Sequence, residues 1–427
     1  MTKRPFAKAA LIKDGVFAYI GGADEAKKLA DTSAQVLDYG DNFIYPGFLE
    51  SHCHGYFAGY RAIGQANLSQ FFSTDYSKYR EVIKKFIADN PNRELYIAQG
   101  WIENDEYVTK AYLDEICSDK PLIMNTGSDH SMSLNTKALE GAGIDAEYTK
   151  KYGYDIAHVD KNGFTPVVDA GVELNSPLTI KAYYELEQEG KLKMRTYAYL
   201  VIPQNLESPK AEVSRAAADH TNYIEEYFHV VGLKAFLNGV TEAHTAWQNQ
   251  DYADQPDYHG AELFNDHDKM IELLVEANKE GFSVHVHSEG GGAIHFMLNC
   301  IEDAEKITGN LDQRNVLAHL HFVTDEDIRR IGATNSIPAV PPFWTPNEKN
   351  VYEQEVRYVG KELADQSYPI KSFFDAGANV IFHSDYPVSP MLDIKYSIYT
   401  AETRNYPKGN GIRNIVWAQS NLASSPT

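Results

Sequence analysis

PGFLESHCH, residues 46–54, follows the apolar run Phe43-Ile44-Tyr45 and ends in two histidines spaced i, i+2. Residues two apart on a strand share a face, so His52 and His54 aim both imidazoles at one point and form half of a divalent-metal site. Cys53 between them turns to the opposite face and reads as packing. A lone His-x-His also arises by chance on surfaces and in cores. What gives this one weight is the later chain, which places more ligand-type residues at the ends of strand-like runs.

Working outward, residues 6–45 break into short strand-like pieces, Ala9–Ile12, Gly15–Gly22 and Val36–Tyr39, with a hairpin turn signal at Lys13-Asp14-Gly15. This reads as a small β unit over 1–45, ahead of a main domain over 46–427. Beyond His54 strands alternate with helices. Asp75–Ala88 carries a helical stripe (Tyr79, Val82, Ile83, Phe86), and Leu95–Gly100 and Pro121–Met124 read as buried strands. Residues 140–185 are turn-rich and read as an irregular insertion. The strands Arg195–Ile202, Val230–Leu237, Phe282–His287, Asn315–His319, Ser336–Val340 and Asn379–Asp385 follow. Between them lie helices opened by Asp266 and by Thr324, and one over Ala293–Lys306.

Such repeats suit a doubly wound sheet or a closed (β/α)8 barrel. No strand is followed by the glycine-rich loop a dinucleotide fold needs, although Gly290-Gly291-Gly292 allows a weak anion-binding turn. Polar residues gather at the C-terminal ends of strands, where a barrel builds its active site, which favours the α/β TIM barrel. With Asp385 on strand eight, the spacings put His319 on six, His287 on five, Lys234 on four and His52/His54 on one.

These residue types fit metal-assisted hydrolysis. Imidazoles bind the ion, and a strand-end aspartate both binds it and takes a proton from water whose pKa falls from about 15.7 towards 7. Lys234 fits such a centre as a carbon dioxide-derived carbamate bridging two metals; otherwise it pairs with a carboxylate such as Glu242. Zinc is the first expectation, with manganese, iron or cobalt compatible.

The formal charge of −21 argues against nucleic acid or an anionic membrane as a partner and leaves a small-molecule substrate. Three widely spaced cysteines suit reduced thiols and a cytoplasmic setting. The N-terminus lacks an apolar h-region, and no run of about 18 apolar residues suggests a span.

The motifs PGFLESHCH (46–54), GWIENDEY (100–107), DHSMSLNTKAL (129–139), LKAFLNGVTEAHTA (233–246), HVHSEGGGA (285–293), RNVLAHLHFVTDEDI (314–328) and VIFHSDYPVSP (380–390) run nearly the length of the chain. Together they resemble the metal-dependent amidohydrolase superfamily, in its YtcJ-like branch (amidohydrolase family 3). The resemblance implies a barrel with a small sandwich and metal and catalytic roles for His52, His54, Lys234, His287, His319 and Asp385. It also implies that His130, Trp101 and Phe343-Trp344 lie near the substrate; His321 reads as a pocket or supporting residue, and His285 exchanges with His287 if the register slips. Glu50 and Asn238 stand where the family has Asp, and Gly291-Gly292 replaces its usual Gly-Asp-Arg segment after strand five. The chain ends at Thr427, ahead of where family members add returning sandwich strands, so those C-terminal strands are expected to be missing.

The expected activity is hydrolysis of a carbon–nitrogen bond other than a peptide bond, in an N-substituted amide or formamide, with Asp385 as general base. Alternatives are a mononuclear deaminase, an ester or lactone hydrolase, and a non-catalytic scaffold. A homodimer is compatible with the resemblance.

Overall fold

The computed structural model describes residues 7–405 apart from 15, 41–47, 56–63, 69–75, 102–107, 109, 127–131, 142–163, 173–176, 193, 224–225, 347–348, 387 and 390–393. It divides into two compact units, Met1–Pro46 and Gly47–Thr427.

In the first unit β1 (Ala9–Lys13) and β2 (Val16–Gly21) pair antiparallel. Asp14 takes φ 52° between them, a left-handed conformation that Asp tolerates in turns. Two local expectations change. Ala23–Leu29 is a helix, with Asp24 and Glu25 in its first turn and Lys27 and Lys28 in its last, each charge favoured by the helix dipole. Val36–Tyr39 is not a strand; Val36 and Leu37 are exposed, and strand propensity without a neighbouring strand to pack against decides little.

The second unit begins with β3 (Phe48–Cys53). Four strands of a separate sheet follow, β4 (Ala66–Asn67), β5 (Tyr96–Trp101), β6 (Leu122–Thr126) and β7 (Met132–Leu134). Then come β8 (Phe164–Val172), β9 (Arg195–Val201), β10 (Phe228–Phe236), β11 (Ser283–Ser288), β12 (Val316–His319), β13 (Ile337–Val340) and β14 (Ile381–Phe382). β3 and β8–β14 form one sheet of eight parallel strands, each paired with the next.

Hydrogen bonds join the first strand to the last. Ser51 Oγ donates to the Phe382 carbonyl (2.7 Å), and the Asp385 amide donates to the His52 carbonyl (3.0 Å). The His54 amide donates to the Tyr386 carbonyl (2.7 Å). The sheet is therefore a (β/α)8 barrel, as the strand-end pattern implies.

Two placements correct the sequence reading. The strands at 95–100 and 121–124 exist, but they belong to the smaller sheet. Its own core is built from Leu68, Tyr79, Ile83, Tyr96, Trp101 and Leu113, among others. The second barrel strand is β8, inside the stretch expected to be irregular. Pro166, Asp169 and Gly171 disguise it, since Pro, Asp and Gly are depleted in strands.

The outer helices follow their predicted signals. Asp266 Oδ1 accepts from the Lys269 amide (3.1 Å) at the start of His267–Lys279, and Thr324 Oγ1 from the Asp327 amide (3.1 Å) at the start of Asp325–Ala333. Their apolar faces bury Met270, Leu273, Leu274, Ile328 and Ile331 in the main core. Among the described residues no helix is long and apolar enough to cross a membrane.

Candidate metal centre

The parallel register sets the site in layers. Lys234 of β10 lies beside His285 of β11, Phe236 beside His287, and Ser288 beside His319 of β12. Alternation turns His285 and His287 to one side of β11. From β3 come His52 and, one residue past the strand end, His54. The His54 ring lies so close to β8 that a Cβ on Gly171 would fall 2.5 Å from its Nδ1. Glycine at 171 makes room for the ring.

At the centre, ligand atoms of His52, His319 and Asp385 lie within 4.8 Å of one another, all three residues being buried. Asp385 Oδ1 is 3.1 Å from His52 Nε2 and 3.3 Å from His54 Nε2. Yet Oδ1 has no hydrogen bond of good geometry among the described residues. His319 Nδ1 and both ring nitrogens of His383 are likewise buried without a hydrogen bond. Buried polar atoms are nearly always satisfied. Nitrogen and carboxylate atoms that converge without donating to one another fit co-ligands of a cation, so the donor set suits a divalent metal.

His319 and Asp385 have φ of 79° and 56°. Such conformations are sparsely populated by non-glycine residues and cluster at functional sites.

The surroundings keep the imidazoles neutral. Burial pushes His52 well below its ordinary value, with the nearby Lys234 charge acting the same way, and burial does likewise to His319 and His285. His383 is brought down to about 4, chiefly by burial. Burial works against ionised Asp385, but the facing imidazoles hold its carboxyl well below the usual range. Lys234 is fully buried and lowered to about 7 by burial, against the pull of Asp385 and Asp169. Its Nζ lies 3.5 Å from His52 Nε2, and no described carboxylate is within ion-pair distance. Glu242 instead stands near Glu289 and His321, and its side chain is exposed.

His287 stands beside His319, ring centroids 4.5 Å apart, with Nε2 3.0 Å from the Gly239 carbonyl. The structure thus brings His52, His54, Lys234, His319 and Asp385 together and sets His287 against His319. His321 is buried between carboxylates, with Nδ1 3.1 Å from Glu289 Oε1 and Nε2 2.9 Å from Glu355 Oε1. Trp344 stacks on His319 at 5.4 Å and donates its indole N–H to Ser389 Oγ (3.0 Å). Trp101 is 1% exposed and packs in the core of the smaller sheet. His130 lies outside the described residues. Cys53 is fully buried with Val167 and Met194, away from the histidine face, as alternation requires.

Three further residues of this region escaped the sequence reading. His383 stacks on His52 at 4.8 Å; its signal was the spacing His383-Ser384-Asp385, the same i, i+2 pattern as His52 and His54. Asp169 of β8 is buried and accepts from the Tyr183 hydroxyl (2.5 Å), but its strand was hidden. His285, weighed only as a substitute for His287, sits 2.8 Å from His52 Nδ1 through its Nε2.

The unusual positions also find roles. Glu50 Oε1 accepts from the amides of His52 (3.1 Å) and Ser384 (3.0 Å), bridging the first and last strands. Asn238 Oδ1 accepts from the Glu289 amide (3.3 Å). The triple glycine is a packing device. A Cβ on Gly290 would fall 2.1 Å from the Trp247 carbonyl oxygen, and one on Gly292 would strike the Trp247 ring. That carbonyl accepts from the Gly292 amide (3.0 Å), and Gln248 Oε1 from that of Gly291 (3.4 Å). The anion-binding turn allowed by the sequence is thereby corrected, since the chain's own acceptors occupy its amides.

A family model described as the amidohydrolase family matches residues 35–162 and 152–422. YtcJ of Bacillus subtilis (strain 168) is 23% identical over 90% of this chain and 78% of its own length. The N-substituted formamide deformylase of Arthrobacter pascens is 22% identical over 89% of this chain and 77% of its own. Among solved structures, an uncharacterized metal-dependent hydrolase from Pyrococcus horikoshii OT3 superposes with a TM-score of 0.69 at 20% identity, covering 92% of this chain and 82% of that one. With the family model spanning most of a barrel whose strand ends converge on His52, His319 and Asp385, the chain belongs to the amidohydrolase family.

Proposed function

We propose that this amidohydrolase, a metal-dependent hydrolase of carbon–nitrogen bonds, cleaves an N-substituted amide or formamide at a zinc centre held by His52, His54, Lys234, His287, His319 and Asp385. The observation that carries the reading is the bare Asp385 Oδ1, 3.1 and 3.3 Å from two imidazole nitrogens that do not donate to it. The deformylase of Arthrobacter pascens supports the choice of substrate class.

A bound divalent metal supplies Lewis acidity, polarising an acyl oxygen and lowering the pKa of water from 15.7 towards about 7. Asp385, kept ionised among the imidazoles, accepts the proton of the attacking water. The water oxygen bonds to the acyl carbon, the C–N bond breaks with its electron pair on nitrogen, and the Asp385 proton passes to that nitrogen. An acid and an amine result. Lys234 is buried without a carboxylate partner among the described residues, and its neutral amine adds to carbon dioxide with loss of one proton, giving the carbamate.

The test combines metal content by mass spectrometry, for protein purified without added metal or chelator, with turnover of N-substituted formamides, unsubstituted amides and esters. About two metals per chain, falling in Lys234→Ala, together with amide or formamide turnover, is the expected result. The compact His52–His319–Asp385 trio also suits a single ion. One metal in both proteins would therefore favour the mononuclear deaminase reading, and no metal in folded protein would leave the scaffold.

A further inference from the structure

We infer that His285 is a positioning residue that fixes the tautomer of His52, presenting the bare Nε2 of His52 to the metal centre. The inference rests on the metal-dependent reading above and goes beyond it in assigning a role to a histidine outside the expected ligand set.

Hydrogen-bond polarity sets the tautomer. Lys234 Nζ lies 3.5 Å from His52 Nε2, and as an ammonium it can only donate there, which requires a lone pair on that nitrogen. A neutral imidazole with Nε2 bare carries its proton on Nδ1. His52 Nδ1 is 2.8 Å from His285 Nε2, so the Nδ1–H donates and His285 Nε2 accepts. His285 must then be neutral, with its own proton on Nδ1, a nitrogen without a hydrogen-bond partner.

The reverse polarity would place the His52 proton on Nε2, facing Asp385. That nitrogen is 3.1 Å from Oδ1, yet an N–H there would not point at the oxygen. Each arrangement leaves one buried N–H without an acceptor, on His285 Nδ1 or on His52 Nε2, but only the reverse one blocks the lone pair that a metal needs.

Packing holds the acceptor in place. The His285 ring meets His52 at 71° with centroids 4.7 Å apart, and the Tyr199 ring at 75° and 5.0 Å. Tyr199 is itself fixed through its hydroxyl to Ser283 Oγ (2.8 Å). Metal-binding histidines generally use the second ring nitrogen on a carboxylate, carbonyl or water, and losing that partner typically costs about 10–100-fold in metal affinity. Here another imidazole takes the acceptor's place.

The test uses full-length wild-type protein and the variants His285→Gln, which offers an acceptor oxygen, and His285→Leu, which fills space without one. Zinc affinity is measured by competition with a chromophoric chelator. The His52 tautomer is read from long-range proton–nitrogen spectra of 15N-histidine-labelled protein, and thermal unfolding of the metal-free proteins checks folding. The expected result is zinc binding about 10–100-fold weaker in His285→Leu and largely restored in His285→Gln, with the wild-type His52 proton on Nδ1. Unchanged affinity in His285→Leu, or equal losses in both variants, would overturn the inference. So would a wild-type His52 proton on Nε2. Wild-type protein that binds no zinc while His52 carries its proton on Nδ1 would instead defeat the metal reading and leave the hydrogen-bond assignment standing.

Discussion

At the scale of single residues, Asp385 carries the proposed chemistry. Its backbone, at φ 56°, donates an amide hydrogen bond to the His52 carbonyl, and its buried side chain faces the imidazoles. Asp385→Asn keeps the shape and removes the charge and the proton acceptor. Turnover should fall by about 10²–10⁴-fold, the usual worth of a general base, while thermal unfolding of the metal-free protein moves little. A variant retaining wild-type turnover would place the base elsewhere. Sequence legibility was good at this scale wherever chemistry and spacing coincide. His52, His54, Lys234, His319 and Asp385 each lie at or near the C-terminal end of a barrel strand, and the fold brings them together. Glu50 shows the limit: its type suggested only a mild change from Asp, whereas its work, tying the His52 and Ser384 amides together, depends on residues more than 300 positions apart.

At the scale of elements, that bridge and the glycine turn can be tested by stability alone. Glu50→Ala leaves two buried amides without an acceptor across the barrel seam, at a cost on the order of 1–3 kcal/mol each. Urea unfolding should show the loss, and an unchanged midpoint would mean that water replaces the carboxylate. Gly290→Ala drives a methyl group to 2.1 Å from the Trp247 carbonyl oxygen, and overpacking of this kind costs about 1–3 kcal/mol; the same urea experiment reads it. The strands β9–β13 were legible because parallel strands covered on both faces are continuous apolar runs. β8 was not, because Asp169 and Gly171 serve the centre rather than the strand. Asp169 puts a charge beside Lys234, and Gly171 makes space for the His54 ring. Nor could periodicity say that β5 and β6 join a second sheet, since it reports which face of a strand is buried and not which strand lies next to it.

At the scale of the whole molecule, His321 ties together segments far apart in the chain. Its ring meets Glu289 after β11 and Glu355 in the helix Lys349–Val359, and stacks on Tyr368 at 4.3 Å, while its carbonyl accepts from the Tyr368 amide (2.8 Å). Burial alone would lower its pKa, but hydrogen bonds to the two carboxylates, with their charges, raise it to about 10. The unfolded chain releases the same proton near pH 6.5. Because the folded value is the higher, protonated His321 contributes its full stability below about pH 6.5, and the contribution is lost as pH rises through about 10. The difference in urea-unfolding free energy between wild type and His321→Gln should therefore be largest at pH 6, smaller at pH 8 and nearly gone above pH 10. Groups that titrate alike in both proteins cancel in that difference. A gap that stays constant across this range would mean that His321 is neutral in the folded protein, with one carboxyl protonated and donating to its bare nitrogen and the other accepting from its N–H.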